Sequence, residues 1–277
     1  MSYEALDPLL EPVRRVAEAA GERIMEVYQS ADFEVETKEN DTPLTRADRA
    51  AHAHIRDGLL ELTPDLPQLC EEGDPVTPAE RRQWSRYWLI DPLDGTREFI
   101  KRNGEFTVNI ALVDGHRPVF GVVHAPALGV TWAARAGGEV RRYTGERVET
   151  VGIRPAPERL TVVVSRSHRG EAVERILERL GEYDELSVGS SLKICRVAEG
   201  AADLYPRFGP TSEWDTAAAQ AVLEAAGGRL TDAGLEPLRY NTGDSLLNPD
   251  FLAIGDPDYD WPGLCDGLPW ERRRLQD

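Results

Sequence analysis

The stretch "YWLIDPLDGTREFI", Tyr87 to Ile100, runs from strand-forming residues into two aspartates three apart and then at once into Gly-Thr. Pro92 fixes its own φ and pushes Asp91 toward an extended backbone, so the spacing predicts a turn at the strand's end. Around such a turn Asp91 and Asp94 can aim into one space, with the Leu93 carbonyl as a third oxygen. Hard oxygen ligands of this kind suit Mg²⁺. Behind them, the amides of Gly95 and Thr96 are placed to meet a phosphate, as amides at tight turns and helix starts do. On these residues alone two other readings stay open: a covalent phosphate on one aspartate, or a surface turn carrying two solvated acids.

Outward from this stretch the chain reads as an α/β (α+β) protein. Before it, Leu9, Val13, Val16, Ala20, Ile24 and Val27 stand at helical spacing over residues 8–29. A polar loop with "KENDTP" follows, and Thr45 opens a second helix burying Ala47, Ala51, Ile55 and Leu59. After it, "FTVNIALV", "PVFGVVHAP", "VTWAARA" and "EVRRY" are strands separated by Gly and Pro turns, a meander that predicts a largely antiparallel sheet. Near "GIRPAPERL" the pattern changes to alternation: the strand "LTVVVS", the helix "EAVERILERLG", a short strand near Ser187, "SLKICRVAEG", the strand "ADLYPRF" and the helix "WDTAAAQAVLEAAGG". A boundary near residue 155 is therefore expected. It divides an N-terminal α+β domain (1–155), holding most candidate metal ligands, from a C-terminal α/β domain (156–255); residues 256–277 read as an extension.

The chain has 277 residues, 41% of them hydrophobic, enough for a globular core. A net charge of −17 speaks against nucleic acid as a partner, because a polyphosphate backbone demands a basic surface. Any anionic substrate must then meet a locally basic site. Lysine occurs only at Lys38, Lys101 and Lys193, and Arg supplies 29 of the 32 basic residues. Cys70, Cys195 and Cys265 are far apart and odd in number, which fits a reducing compartment and no zinc spacing. The N-terminus carries acid and proline where a signal peptide needs bases and an apolar run, and no stretch approaches membrane-spanning length. A cytoplasmic protein is expected.

Other acids carry plainer alternatives. Glu71 and Glu72 of "CEEGD" follow the apolar "LPQL" at an expected strand end, though a Glu pair is usually a solvated loop. Thr45-x-x-Asp48 has the form of a capping box, and Asp215 of "SEWDTAAA" stands at a helix N-terminus where an acid is favoured without any function. Their combination with "DPLDGT" is what carries weight. "CEEGD", "DPLDGTREFI" and "EWDTAAA" together resemble the signature set of the inositol monophosphatase superfamily. Within it, "DPLDGTREFIKRNGEFTVNIALV", "SRSH", "GSSLKICRVAEG" and "LYPRFGPTSEWDTAAA" resemble the CysQ-type 3′(2′),5′-bisphosphate nucleotidases. The likeness runs from about Leu9 to Ile254, with Cys70 where a Ser commonly precedes the Glu pair.

The resemblance implies a layered αβαβα sandwich and a Mg²⁺-dependent phosphatase, sensitive to Li⁺ and Ca²⁺, that converts 3′-phosphoadenosine 5′-phosphate to AMP and clears a by-product of sulfate assimilation. It implies Glu71, Asp91 and the Leu93 carbonyl on one Mg²⁺, with Asp91, Asp94 and Asp215 on a second. Thr96 paired with Asp48 would activate a water for in-line attack. Gly95, Thr96 and Asp215 would meet substrate, with Ser190, Lys193, Arg207 and His168 around the nucleotide's ribose, base or second phosphate. For His168 and Lys193 a plain polar loop residue and a solvated helix residue are the alternatives. Arg97 and Lys101 are further bases beside the loop, without an assigned role. The resemblance also leaves open a peripheral place on the cytoplasmic face of the inner membrane. The rival readings are an inositol monophosphatase or sugar bisphosphatase with the same metal core, a non-catalytic ligand-binding module, and a phosphoaspartate mechanism of the haloacid-dehalogenase type, whose paired aspartates lie two apart.

Overall fold

Apolar residues at helical spacing begin the chain, and in the computed structural model, which describes residues 3–30, 36–37, 43–44, 46–164, 170–232 and 234–267, they form helix α1 (Asp7–Gln29). Its buried stripe is Leu10, Val13, Ala17, Ala20, Ile24 and Val27. Leu9 and Val16, expected inside, flank that stripe half-buried, because its centre runs through Leu10 and Ala17. A two-residue ribbon pairs β1 (Glu36–Thr37) with β2 (Pro43–Leu44). Helix α2 (Arg46–Leu62) buries Ala47, Ala51, Ile55 and Leu59 as the spacing predicts; Thr45 lies outside the described residues.

The meander becomes a seven-stranded sheet laid out in chain order: β3 (Gln68–Cys70), β4 (Arg86–Asp94), β5 (Thr107–Asp114), β6 (Arg117–Ala125), β7 (Val130–Arg135), β8 (Val140–Thr144) and β9 (Arg147–Val151). All its pairs are antiparallel except β3 with β4. Short helices α3 (Pro78–Arg81) and α4 (Thr96–Ile100) interrupt its early connections. The alternating half supplies β10 (Leu160–Val164), α5 (Glu171–Leu180), β11 (Tyr183–Ser187), α6 (Leu192–Ala198), β12 (Leu204–Arg207), α7 (Glu213–Ala225), β13 (Arg229–Thr231), β14 (Phe251–Ile254) and α8 (Trp261–Cys265). Its five-stranded sheet has the order β11-β10-β12-β14-β13, parallel around β10 and antiparallel around β14.

Three apolar cores stack these elements into five layers. One core joins α1 and α2 to one face of the large sheet, through Ile24, Ile55, Trp88, Ile110 and Phe120. A second fills the space between the sheets around α6 and α7, with Leu89, Val123, Ile194, Val222 and Phe251. The third packs α5 and α8 on the outer face of the small sheet, so Trp261, Leu264 and Cys265 are buried although they lie past residue 255. The order is helix, sheet, helix, sheet, helix: the αβαβα sandwich.

Helix α7 crosses the large sheet unusually closely because its inward face is Ala217, Ala218 and Ala221. A Cβ on Gly121 of β6 would sit 2.2 Å from the Ala218 carbonyl oxygen and 3.0 Å from the Ala221 Cβ. Gly121→Ala is therefore expected to destabilise the protein by about 1–3 kcal/mol through overpacking, read as a lower urea midpoint at unchanged m-value.

Candidate active site

Strand β4 does not turn at Asp91. It continues through Asp94, and its register against β5 slips between Asp91, opposite Asn109, and Asp94, opposite Thr107. One extra residue on β4 makes this a β-bulge, the place inside a sheet where Pro92, with no N–H for the ladder, is tolerated. The bulge has a chemical consequence. In a regular strand residues three apart face opposite sides, and the inserted residue brings Asp94 round to the side of Asp91. The Leu93 amide donates to Asp91 Oδ1 at 3.0 Å and holds the bent segment in shape.

Gly95 then caps α4 at φ 90°, in the left-handed region open to glycine. Thr96 follows as the first helical residue, its Oγ1 donating to the Leu93 carbonyl across a long 3.4 Å. Asp215 arrives from the other half, at the start of α7. It accepts from the Ser212 amide at 2.8 Å in a full capping box, so the acid is both a helix cap and a member of the site. Asp91, Asp94 and Asp215 bring ligand oxygens within 4.8 Å of one another. Glu71 leaves the end of β3 half-buried, and its charge acts on all three aspartates. Asp48, in the first turn of α2, is buried.

Burial pushes the Asp91 carboxyl well above its usual range, and the charges of Glu71, Asp94 and Asp215 add to the rise. Asp215 moves the same way, from burial and then Asp94, against the Ser212 amide and Arg207. Burial raises Asp94 to about 6, with the Lys193 charge and the Ser191 amide opposing. Two carboxylates at such separations repel by roughly 3 kcal/mol at an effective dielectric near 20, so all three ionise together only beside cations. A set of buried, hard, mutually repelling oxygens fits divalent metal ions. Next to Glu71, the Cys70 thiol lies 3.1 Å from His52 Nδ1, and burial raises it far above the ordinary thiol range, which keeps it protonated.

Asp94 and Asp215 open onto a cavity of 210 Å³ between the two halves, with Gly95, Ser190, Lys193 and Arg207 in its wall. Arg97 and Lys101 line it as well, so four cations face one hollow in a strongly acidic protein, together with the acids Glu98 and Glu105. Lys193 Nζ donates to the Ser190 carbonyl at 3.0 Å and stands 5.7 Å from the centre of the Tyr205 ring. Arg207 reaches the Pro210 carbonyl at 3.1 Å, while its Nε is buried without a partner among the described residues. His168 lies outside the described residues.

Sequence reasoning missed the floor of the site. The Ser191 amide donates to Asp94 Oδ2 at 2.6 Å, its hydroxyl donates to Asn109 Oδ1 at 2.8 Å, and Thr107 Oγ1 lies 2.7 Å from Ser191 Oγ. The available signal was Thr107 and Asn109, polar residues interrupting the apolar strand "FTVNIALV".

A layered scaffold that gathers buried carboxylates and basic side chains around one cavity defines a metal-dependent hydrolase of phosphate esters. A sequence model of the inositol monophosphatase family matches residues 5–254. A Salmonella typhimurium 3′(2′),5′-bisphosphate nucleotidase CysQ is 51% identical over 88% of this chain and 98% of its own length. A protein of that name from Aggregatibacter actinomycetemcomitans is 40% identical, with 95% and 96% covered. The crystal structure of CysQ from Bacteroides thetaiotaomicron superposes with a TM-score of 0.80 at 41% identity, covering 90% of this chain and 97% of that one. The chain belongs to the inositol monophosphatase family. None of its described helices is long and apolar enough to cross a membrane.

Proposed function

We propose that this chain is a 3′(2′),5′-bisphosphate nucleotidase that removes the 3′-phosphate of 3′-phosphoadenosine 5′-phosphate, leaving AMP, with Mg²⁺ as its metal. The observation that carries this choice within the family is the concentration of cations: Arg97, Lys101, Lys193 and Arg207, four of the chain's 32 basic residues, share one cavity with Asp94 and Asp215, Glu98 and Glu105 also lining it. A monophosphate needs one anion site, which the metals supply. A bisphosphate needs a second, and the cations across the cavity match it. Arg207 Nε, without a partner among the described residues, is a donor left for an acceptor. The likeness to two named nucleotidases at 51% and 40% identity supports the same substrate class.

In this reading Glu71, Asp91, Asp94, Asp215 and the Leu93 carbonyl hold the cations, between a domain of residues 1–155 and one of 156–255. Bound Mg²⁺ supplies Lewis acidity at the phosphate and lowers the pKa of water. The chain's own groups do the rest. Thr96 orients the attacking water and Asp48 takes its proton. Gly95 and Thr96 receive the scissile phosphate, while Ser190, Lys193, Arg207 and His168 position the nucleotide. Ca²⁺ should inhibit, since it accepts looser and larger coordination than the octahedral Mg²⁺.

A phosphate-release panel over 3′-phosphoadenosine 5′-phosphate, inositol 1-phosphate and sugar bisphosphates, with and without Mg²⁺, tests the proposal. Preference for inositol 1-phosphate would overturn the substrate. Within the panel, Arg207→Gln is expected to raise KM for the bisphosphate about tenfold to a hundredfold, the usual range for one hydrogen bond to a charged group. It should leave hydrolysis of a monophosphate nearly unchanged; an equal loss on both esters would place Arg207 outside substrate discrimination.

A further inference from the structure

We propose that Asn109 is a positioning residue for the carboxylate cluster: its Nδ2, without a protein partner among the described residues, takes up the Asp91 carboxylate when the cluster is loaded with cations, and Ser191 holds the amide in the orientation to do so. The proposal rests on the metal-site reading above. Asn109 is fully buried on β5, on the face it shares with Ala111, which is part of the apolar core between the sheets. An amide there is costly unless its hydrogen-bonding groups are used. One group is used: Oδ1 accepts from the Ser191 hydroxyl at 2.8 Å. The other, Nδ2, has no protein partner among the described residues.

Position says where that donor belongs. Asn109 is the residue directly opposite Asp91 across the β4–β5 ladder, the last regular pair before the bulge. Side chains at directly opposed positions share a face, with Cβ atoms ~5 Å apart. The orientation of the carboxamide is also determined. Ser191 gives its amide to Asp94 Oδ2 and its hydroxyl to Asn109 Oδ1, and Thr107 Oγ1 lies against that hydroxyl. Turning the amide over would face a nitrogen to the Ser191 hydroxyl in place of the oxygen that accepts from it; as placed, Oδ1 is used and both Nδ2 hydrogens are left for an acceptor. Asp91 has one oxygen engaged by the Leu93 amide. A second donor from Asn109 would fix the plane of the carboxylate and favour its ionised form, the form a cation requires. The Thr107–Ser191–Asn109 chain thus couples Asp91 on β4 to Asp94 through the start of α6.

The test is calorimetric titration of the full chain with Mg²⁺ alone, without nucleotide, for the parent, Asn109→Leu and Ser191→Ala, with thermal melts in parallel. Leu is close to Asn in size and suits the apolar surroundings, so Asn109→Leu should melt at or above the parent temperature. Its Mg²⁺ affinity should fall about tenfold, the effect of one lost charge-assisted hydrogen bond. At saturating Mg²⁺ kcat should drop while nucleotide KM stays near the parent value. Ser191→Ala keeps the donor but frees the amide to turn, so a smaller loss of Mg²⁺ affinity is expected, and this variant decides if Asn109→Leu does not fold. Parent-like Mg²⁺ affinity in the folded variants overturns the positioning role alone. A parent chain that takes up no Mg²⁺ overturns the metal-site reading and this proposal together.

Discussion

Asp91→Asn is expected to abolish turnover while leaving the metal-free protein as stable as the parent or more so. Asp91 is almost fully buried, and its carboxyl is pushed well above the ordinary range by burial and by Glu71, Asp94 and Asp215. Asparagine has the same shape, and its Oδ1 can still accept from the Leu93 amide, so the bulge should survive. What disappears is the central anion of the cluster, and with it the cation affinity. Metal ions contribute several kcal/mol of transition-state stabilisation, so kcat/KM should fall roughly a thousandfold or more. Stability should move the other way, because a buried acid among like charges is a burden that function imposes. Phosphate release with Mg²⁺ added and urea unfolding without it, measured on the same preparation, check both halves. Retained activity would remove Asp91 from the mechanism, and a large loss of stability would show that the cluster is held together by something other than cations.

The second large effect is expected outside the cavity wall, at Arg81. This guanidinium at the end of α3 is 1% exposed; it donates to Asn241 Oδ1 at 2.5 Å and to the Asp244 carbonyl. Asn241 returns a bond from Nδ2 to the Arg81 carbonyl at 2.6 Å and gives its own amide to both Glu213 oxygens at 2.9 Å. Asn241 does this with φ 55°, a left-handed conformation that asparagine adopts more readily than most residues. Glu213, buried in the first turn of α7, is raised to about 7 by burial, with the Asn241 amide and the Arg81 charge opposing. Arg81→Leu removes the cation and strands Glu213, Asn241 and the Asp244 carbonyl. Breaking one side of a buried charged network costs about 3–5 kcal/mol, which the urea midpoint should register. Adding Glu213→Gln should recover part of the loss, since a neutral amide needs no counter-charge; strictly additive losses would deny the coupling. Because Glu213 lies two residues before Asp215, the network also holds the end of α7 that reaches the cluster.

Much of this architecture is legible residue by residue. The stripes of α1 and α2 follow from local periodicity because each helix buries one face, while the central meander strands show as nearly unbroken apolar runs because the large sheet is covered on both faces. Strands β9, β13 and β14 escaped that reading. Two have only three and four residues, and β9, an edge strand with no fully buried residue, offers little apolar pattern. "DPLDGT" announced hard oxygen ligands, but the expected turn is a bulge, since register depends on the strand opposite. The local signal at Asp215 was a helix cap, and that signal was true as far as it went.

Composition and local pattern alone carried the chemistry on offer: which acids, which few bases, and a family resemblance that the match over residues 5–254 bears out. Only the tertiary structure decided that Asp91 and Asp94 turn to one side, that Asp215 joins them, and that Asn109 and Ser191 lie beneath. Nothing local draws carboxylates together, because like charges separate unless packing holds them. Here the holding is done by the extra residue in β4 and by the alanine face of α7 pressed against Gly121, contacts between segments that no single window of sequence contains.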